Sequence, residues 1–323
     1  MKKIISLVLV FITASSMVSG CSRNQASSEA PAPAAASSEE ASAAVSAPAA
    51  VSFKENATIS YLGPEGTYTE EAAETFFDAA DSFLPKETVE EALEDAAAGA
   101  ADYAVIPQEN TIGGAVTNYV DALLARDDVY VVGEVVIPIN QTLMGVSGAT
   151  IEDIKTVCSH AQGIKQSEKW RKENMPDAAA KEMASTAAAA AYVAEQQDKS
   201  IAAVAAPGAA ALYGLEVLAE KVQITDANKT RFYVLSKERM TGGTNAVFAA
   251  TCEASRIDDI IVEIHNAGVE LVTIHDRPEG SKLGKYNYII EVEAIDGIME
   301  DQINEISAVN DIRFLGSFDT VEK

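Results

Sequence analysis

The chain has 323 residues, 48% of them hydrophobic and 23% charged, and 49 acidic against 24 basic side chains give it a formal charge of −25. This length suggests about two domains, and the ordinary globular composition excludes a wholly disordered or collagen-like chain. The negative charge disfavours binding to nucleic acid, and three Cys with three His leave little material for a zinc cluster or a disulfide framework.

Residues 1–20 have the pattern of an export signal peptide. Lys2 and Lys3 precede a mostly apolar run over residues 4–12, which is too short to cross a bilayer about 30 Å thick. The segment Met17-Val-Ser-Gly-Cys21 resembles a bacterial lipobox, so we expect Cys21 to be lipidated and to become the mature N-terminus. The alternative is plain secretion with an incidental cysteine.

Residues 21–52 are expected to form a tether between the lipidated Cys21 and the globular part. They consist mainly of Ala, Ser, Pro and Glu, with almost no aliphatic side chain larger than Val. Such a segment cannot bury enough apolar surface to offset the entropy lost on ordering, which predicts disorder. The globular part begins near Phe53. An anchor of this kind predicts a membrane-anchored lipoprotein on the extracytoplasmic face.

Strands alternate with helices over residues 57–237. The sequence predicts strands at 57–62, 103–106, 129–136, 155–158 and 201–205, and helices at 69–80, 89–98, 115–125, 163–174 and 186–197. Thr67 and Glu70 have the spacing of a capping box at the first helix. This alternation predicts an α/β domain whose binding loops lie mostly at the carboxyl ends of strands.

The pattern changes after residue 237. Strands are predicted at 245–252, 269–275, 286–293 and 312–318, and helices at 257–267 and 298–307. The order βαββαβ is that of a ferredoxin-like unit, which we place at residues 245–320. The domain boundary falls within residues 237–244.

Six short motifs in the first domain resemble, in order and approximate spacing, those of prephenate dehydratases. They are Tyr61-Leu-Gly-Pro-Glu-Gly-Thr-Tyr-Thr69, Ile106-Pro-Gln-Glu-Asn-Thr111, Ser159-His-Ala-Gln162, Ser185-Thr-Ala187, Leu212-Tyr-Gly-Leu215 and Asn228-Lys-Thr-Arg-Phe232. The segments Val269-Glu-Leu-Val-Thr-Ile-His-Asp-Arg-Pro278 and Leu315-Gly-Ser-Phe318 are similar to the ACT domain that follows in that family. The resemblance covers about residues 57–320.

The resemblance implies a two-lobed catalytic domain with a cleft like that of periplasmic binding proteins, in a homodimer. It implies a carbon–oxygen lyase of phenylalanine, and hence aromatic amino acid, biosynthesis. Such an enzyme converts prephenate to phenylpyruvate with loss of water and carbon dioxide, without metal or organic cofactor. Phenylalanine is the regulatory ligand that an ACT domain implies.

The motifs also imply roles for single residues. The catalytic candidates are Thr230, Glu109, Asn110 and His160, and the substrate-binding candidates are Thr67, Thr111, Ser159, Gln162, Gln166, Arg231 and Phe232. Because prephenate is a dianion, three motif segments that precede predicted helices are expected to supply N–H donors to its carboxylates. In the family, the threonine matching Thr230 donates a proton to the departing hydroxyl.

Several of these residues have plainer interpretations. Thr67 can be a helix cap, Glu109 a solvated or capping carboxylate, and His160 a partner that orders its loop. Arg231 can form a structural ion pair, because adjacent strand residues point to opposite faces and Thr230 would then face the cleft alone.

The regulatory motifs depart further from the family pattern than the catalytic ones. Gln108 replaces the isoleucine of a Pro-Ile-Glu-Asn-Ser segment, and Asn140-Gln141 replaces a frequent histidine pair. In the ACT-like part, Ser255 and Arg256 stand in a Gly-Ala-Leu turn, and an acidic-Ser-Arg-Pro segment is replaced by His275, Asp276, Arg277 and Pro278. We therefore expect phenylalanine binding to be weak or lost. Cys158 and Cys252 are expected to be small apolar residues, although a disulfide between them is an alternative outside the cytoplasm.

Two functions remain open on the sequence. The first is an exported, membrane-anchored prephenate dehydratase, for which the cytoplasmic origin of the substrate is a difficulty. The second is a lipoprotein that uses the same cleft to bind a carboxylate or an amino acid. The intact Thr230-Arg-Phe232 favours catalysis, and the anchor with its tether favours binding.

Overall fold

The computed structural model describes residues 52–77, 82–309 and 312–323. The predicted signal peptide, Cys21 and nearly all of the predicted tether lie outside the described residues. No helix among the described residues is both long enough and apolar enough to cross a membrane.

The fold is mixed α/β, as the sequence predicts. Its strands are β1 (Thr58–Leu62), β2 (Ser82–Lys86), β3 (Tyr103–Asn110), β4 (Gly114–Ala115), β5 (Tyr130–Pro138), β6 (Thr142–Gly145), β7 (Thr156–Ser159), β8 (Ala179–Glu182), β9 (Ile201–Ala205), β10 (Glu216–Ala219), β11 (Lys229–Ser236), β12 (Asn245–Glu253), β13 (Glu270–Pro278), β14 (Lys285–Glu293), β15 (Ile312–Phe318) and β16 (Thr320–Glu322). Its α-helices are α1 (Tyr68–Phe76), α2 (Val89–Ala98), α3 (Thr117–Leu124), α4 (Ala161–Gln166), α5 (Glu168–Asn174), α6 (Thr186–Gln196), α7 (Gly208–Leu212), α8 (Ile257–Asn266) and α9 (Glu300–Ser307).

The strands form two sheets. The larger sheet has the order β13-β14-β12-β15-β5-β11-β3-β1-β2, with β16 also paired to β5 and β4 to β3, and the smaller sheet has the order β10-β6-β9-β7-β8. The chain leaves the larger sheet after β5 and returns to it at β11. Two connections therefore join the sheets, and each sheet has its own helices.

The larger sheet is covered on both faces near β3 and β11. Phe232 lies on the face that packs on α1, in a cluster with Ile59 and Ala72. The next residue, Tyr233, lies in the cluster of the opposite face with Tyr119 of α3 and Leu93 of α2. The alternation of side chains along β11 therefore sends adjacent residues into separate environments.

The C-terminal part has the expected order β12-α8-β13-β14-α9-β15. Ile260 and Ile264 of α8 and Ile303 and Ile306 of α9 are buried in one apolar cluster with the strands. Its strands belong to the larger sheet and join the remaining strands through β15, where Gly316 pairs with a residue of β5. A side chain at Gly316 would place a Cβ 2.0 Å from the Val131 carbonyl oxygen, so glycine is needed for this close approach.

The structure corrects several predicted boundaries. The helix predicted at 163–174 is two helices, α4 and α5, which meet at Ser167, whose hydroxyl donates 2.7 Å to the Gly163 carbonyl. The predicted helix 69–80 ends at Phe76, and the predicted helix 115–125 begins at Thr117, after the short strand β4. The sequence prediction missed the helix α7 and the strands β2, β4, β6, β8, β10 and β16, which have five residues or fewer, and it gave no bounds for β11.

Candidate active site

A cavity of about 260 Å³ is lined by residues of both sheets and their helices. Its polar lining consists of Thr67, Tyr68, Thr69, Asn110, Gln141, His160, Gln162, Gln166, Ser185, Thr186 and Thr230. Among the described residues, no Asp, Glu, Lys or Arg side chain lines this cavity. Hydroxyl, amide and imidazole groups therefore carry its chemistry.

Thr230 and Asn110 form the best-defined pair in the cavity. The Asn110 Nδ2 amide donates a hydrogen bond of 2.9 Å to Thr230 Oγ1 and another of 2.8 Å to Asn228 Oδ1. Asn110 is 7% and Thr230 8% exposed. Within the described chain no protein acceptor takes the Thr230 hydroxyl proton, so the hydroxyl can donate to a bound ligand.

The carbonyl oxygen of the Asn110 side chain is also fully engaged. It accepts hydrogen bonds from Ile112 N at 3.1 Å, from Gly113 N at 2.9 Å and from Gln162 Nε2 at 2.9 Å. These contacts set the orientation of the amide, so its N–H groups point at Thr230. The bond to Gln162 also joins β3 of the larger sheet to α4, which packs on the smaller sheet.

Three helices begin at the cavity. The N-cap residues of α1, α4 and α6 are Thr67, His160 and Ser185, and all three line the cavity. Thr67 Oγ1 accepts from Glu70 N at 3.4 Å, and His160 Nδ1 accepts from Gln162 N at 3.3 Å. Because helix starts carry the positive end of the peptide dipoles, they favour anionic ligands without a basic side chain.

Two glutamines form a second amide pair at the cavity. Gln141 Nε2 donates 2.9 Å to Gln166 Oε1, and both side chains are buried. Gln141 Oε1 is buried and has no hydrogen-bond partner within the described chain. This acceptor is available to a donor that the protein does not supply.

The structure brings together most, but not all, of the predicted site residues. Thr230, Asn110, His160, Thr67, Gln162, Gln166 and Phe232 line the cavity, whereas Glu109, Thr111, Ser159 and Arg231 do not. The Ser159 hydroxyl is fully buried and donates 2.6 Å to the Val204 carbonyl, and the Thr111 hydroxyl donates 3.0 Å to the Lys229 carbonyl. Asn110 ends β3 and Thr111 follows it; this segment precedes α3, as the sequence predicts, but β4 lies between them, so it does not adjoin the helix start.

Arg231 and Glu109 lie on the opposite face of the sheet, among other carboxylates. The Arg231 guanidinium donates two hydrogen bonds to Glu134, from Nη2 at 2.5 Å and from Nε at 2.9 Å. It also forms ion pairs with Glu109, at 3.5 Å, and with Glu291 of β14. Glu134 and Glu291 are 3% and 1% exposed. The structural ion pair considered for Arg231 is thus the arrangement observed, because strand alternation turns it away from Thr230. Burial opposes the charged form of the Arg231 guanidinium, but Glu291 and Glu134 together outweigh it and raise its pKa.

The residues predicted to be regulatory fall into two groups. Ser255 and Arg256 are exposed in the short 3₁₀ turn Ala254–Arg256 that precedes α8. His275 contacts Tyr119 of α3, and Arg277 forms an ion pair of 2.8 Å with Asp121 of the same helix. The neighbouring Asp276 and Pro278 are exposed on β13.

Cys158 lies in β7 of the smaller sheet, and Cys252 in β12 of the larger one.

Some residues of the cavity were missed as site residues. Gln141, Ser185 and Thr186 all line it. Ser185 begins a Ser-Thr-Ala motif at a predicted helix start, and Gln141 stands where the family has a histidine pair, so both carried a usable signal. Glu134 and Glu291 gave no such signal, because each is an acidic residue between apolar neighbours in a predicted strand and belongs to no motif.

Comparisons with known proteins show the family to which the chain belongs. The prephenate dehydratase family model matches residues 59–240. The prephenate dehydratase of Amycolatopsis methanolica is 34% identical over 272 residues, which cover 80% of this chain and 88% of that protein. The chain belongs to the prephenate dehydratase family, which confirms the resemblance seen in the sequence motifs.

Two solved structures have the same fold. The prephenate dehydratase of Arthrobacter aurescens in complex with L-Phe has a TM-score of 0.71 at 30% identity, and the match covers 81% of this chain and 90% of that chain. The prephenate dehydratase of Staphylococcus aureus has a TM-score of 0.67 at 25% identity, and covers 81% and 99% of the two chains.

The acidic cluster around Arg231 predicts a pH-dependent stability. Burial raises the pKa of Glu134 to about 6; Glu291 adds to this rise, and Arg231 opposes it. A raised carboxyl pKa favours folding while the group is protonated, and this contribution is lost as the pH rises through about 6. Relative to Glu134→Gln, the unfolding free energy of the wild type should therefore fall by about 2 kcal/mol between about pH 4 and about pH 7.

Urea unfolding of both proteins across this pH range measures the effect. The exposed Glu293, replaced in Glu293→Gln, serves as the control and should follow the wild type. Parallel pH curves for the wild type and Glu134→Gln would contradict the assignment.

Proposed function

We propose that the protein is a prephenate dehydratase that converts prephenate to phenylpyruvate, water and carbon dioxide. The observation that carries this proposal is the Thr230 hydroxyl, which lies in the cavity with its oxygen bonded to Asn110 and its proton without an acceptor among the residues that the structure describes. Family membership supports the same reaction.

Thr230 is proposed as the proton donor to the departing hydroxyl. A threonine hydroxyl is a very weak acid, so it can pass its proton only while the carbon–oxygen bond breaks. The ring carboxylate leaves as carbon dioxide, its bonding electrons aromatise the ring, and the hydroxyl leaves as water. The proton lost from Thr230 is restored from solvent, so one proton is consumed for each turnover.

Neutral donors are proposed to hold the two carboxylates of prephenate. The N-terminal ends of α1 and α6, with caps Thr67 and Ser185, supply backbone N–H groups. The side-chain amides of Gln162 and Gln166 add donors from the smaller lobe. His160 is exposed beside them, where it can exchange protons with water.

Replacing Thr230 tests the chemistry directly. Thr230→Val keeps the shape and removes the donor, so kcat should fall by about 10²–10⁴ with KM little changed. Thr230→Ser keeps the hydroxyl and should retain much of the activity. Phenylpyruvate formation from prephenate, followed by ultraviolet absorbance, measures both.

A wild type that binds prephenate without forming phenylpyruvate would leave the binding lipoprotein as the better function. Wild-type turnover in a folded Thr230→Val would move the donor role to another group. Circular dichroism of the variant provides the control for folding.

We further propose that residues 245–320 form an ACT domain in a homodimer, with phenylalanine regulation weakened or lost. The βαββαβ order of β12 to β15 supports the domain assignment. Ser255 and Arg256 add bulk at the turn where the family has Gly-Ala-Leu, and the His275 side chain contacts Tyr119 of α3.

Phenylalanine should therefore inhibit poorly. A coupling free energy is typically about 1–3 kcal/mol, so the loss of one or two ligand contacts is enough to remove it. Calorimetry with phenylalanine and an activity assay in its presence measure binding and coupling separately. Tight binding with strong inhibition would contradict this prediction, and tight binding without inhibition would place the defect in the coupling.

We also propose that the protein is exported and anchored to the membrane through lipidated Cys21. The support is the basic start, the apolar run over residues 4–12 and the lipobox-like segment before Cys21.

Membrane fractionation tests the anchor. The mature wild type should sediment with membranes, because each buried CH₂ of its acyl chains contributes about 0.8 kcal/mol. Cys21→Ser should be released or left unprocessed, and mass spectrometry of the N-terminus identifies which. A soluble wild type with an unmodified N-terminus would show that the lipobox is incidental.

A further inference from the structure

We propose that Glu291, on β14 of the βαββαβ unit, is a positioning residue for the Thr230–Asn110 pair. Glu291 does not line the cavity, and it acts through two side chains on the far face of the sheet, Arg231 and Gln108. The inference deepens the proposed dehydratase function and rests on it.

A β-bulge between β3 and β11 decides which side chains reach the cavity. Thr230 pairs with Asn110 and Arg231 with Glu109, but Phe232 pairs with Pro107, so Gln108 is the extra residue of β3. The extra residue lets Pro107 and Asn110 both face the cavity although they are three positions apart. Bulges near active sites commonly re-aim a side chain in this way.

Gln108 is held on the far face by contacts with two other side chains. It is fully buried, and its Nε2 donates 2.7 Å to Tyr233 Oη and 3.0 Å to Glu291 Oε2. Its Oε1 has no hydrogen-bond partner in the described part of the chain. The two donor contacts hold the side chain of this bulge residue, and its backbone carbonyl accepts a further hydrogen bond of 2.8 Å from Val116 N.

The Glu291 carboxylate hydrogen-bonds both β3, which carries Asn110, and β11, which carries Thr230. Glu291 Oε2 accepts from Gln108 of β3 and, at 2.8 Å, from the Tyr233 hydroxyl of β11, while Oε1 accepts from Arg231 of β11. Arg231 directly follows Thr230. Because Glu291 is 1% exposed, water cannot replace these bonds when the carboxylate is removed.

Loss of these Glu291 hydrogen bonds should lower the rate of the reaction more than it weakens substrate binding. Gln162, Gln166 and the start of α6 belong to the other lobe, and the side-chain partners of Glu291 in the described chain are Gln108, Arg231 and Tyr233. The Thr230–Asn110 bond depends on the register of β3 against β11. A displacement of about 1 Å at a reacting group can cost about 10²-fold in rate.

The experiment compares Glu291→Gln with the wild type in the full chain. We expect kcat to fall about tenfold to a hundredfold, with KM changed by less than about twofold. The matched control is Glu293→Gln on the same strand, where the side chain is exposed, and it should leave both constants unchanged. In parallel, the side-chain amide resonances of Asn110 should move in Glu291→Gln and stay in place in Glu293→Gln.

A second variant separates positioning from folding. Gln108→Leu removes the amide between Glu291 and the bulge and leaves the Arg231 ion pairs in place. In a folded protein, kcat should fall less than in Glu291→Gln, and the Asn110 side-chain amide resonances should still move. Unchanged Asn110 resonances in a folded variant, or wild-type kcat in Glu291→Gln, would overturn the inference. A wild type that forms no phenylpyruvate would refute the proposed function. The Asn110 amide resonances in Glu291→Gln would still show whether Glu291 positions the Thr230–Asn110 pair.

Discussion

A single guanidinium facing three carboxylates holds the centre of the larger sheet together. Arg231 of β11 contacts Glu109 of β3, Glu134 of β5 and Glu291 of β14. Buried charges of this kind are costly unless they are paired, so each strand must keep its place for the others to be stable. The cluster therefore joins the βαββαβ unit to the strands that carry the catalytic candidates.

The two faces of β3 and β11 differ in the side chains that they present. The cavity face presents Asn110 and Thr230 in a neutral, amide-rich setting, and the far face carries the charges. An aspartate or glutamate in the cavity would repel a dianionic substrate, and a lysine or arginine would attract any small anion. Neutral donors at helix starts select instead by geometry, since each N–H has a fixed direction.

Much of the architecture was predictable from the sequence, and the errors have physical causes. Period-two and helical patterns correctly predicted the mixed α/β class of the first part and the later βαββαβ order, since each predicted element buries one regular face. The roles expected for Glu109 and Arg231 differ from their placement on the far face, because each directly adjoins a cavity residue, Asn110 or Thr230, and adjacent strand residues point to opposite faces. Ser159 ends a strand that is buried on both sides, so its hydroxyl bonds a neighbouring carbonyl.

The uncharged cavity within a chain of formal charge −25 has a consequence for how substrate arrives. The protein's long-range field repels a dianion, and no basic lining residue in the described part of the chain counters it at the cavity. Dissolved salt screens that field over a Debye length of about 8 Å at physiological ionic strength. Substrate capture should thus become faster as salt is added, the reverse of what enzymes that attract their substrates electrostatically show.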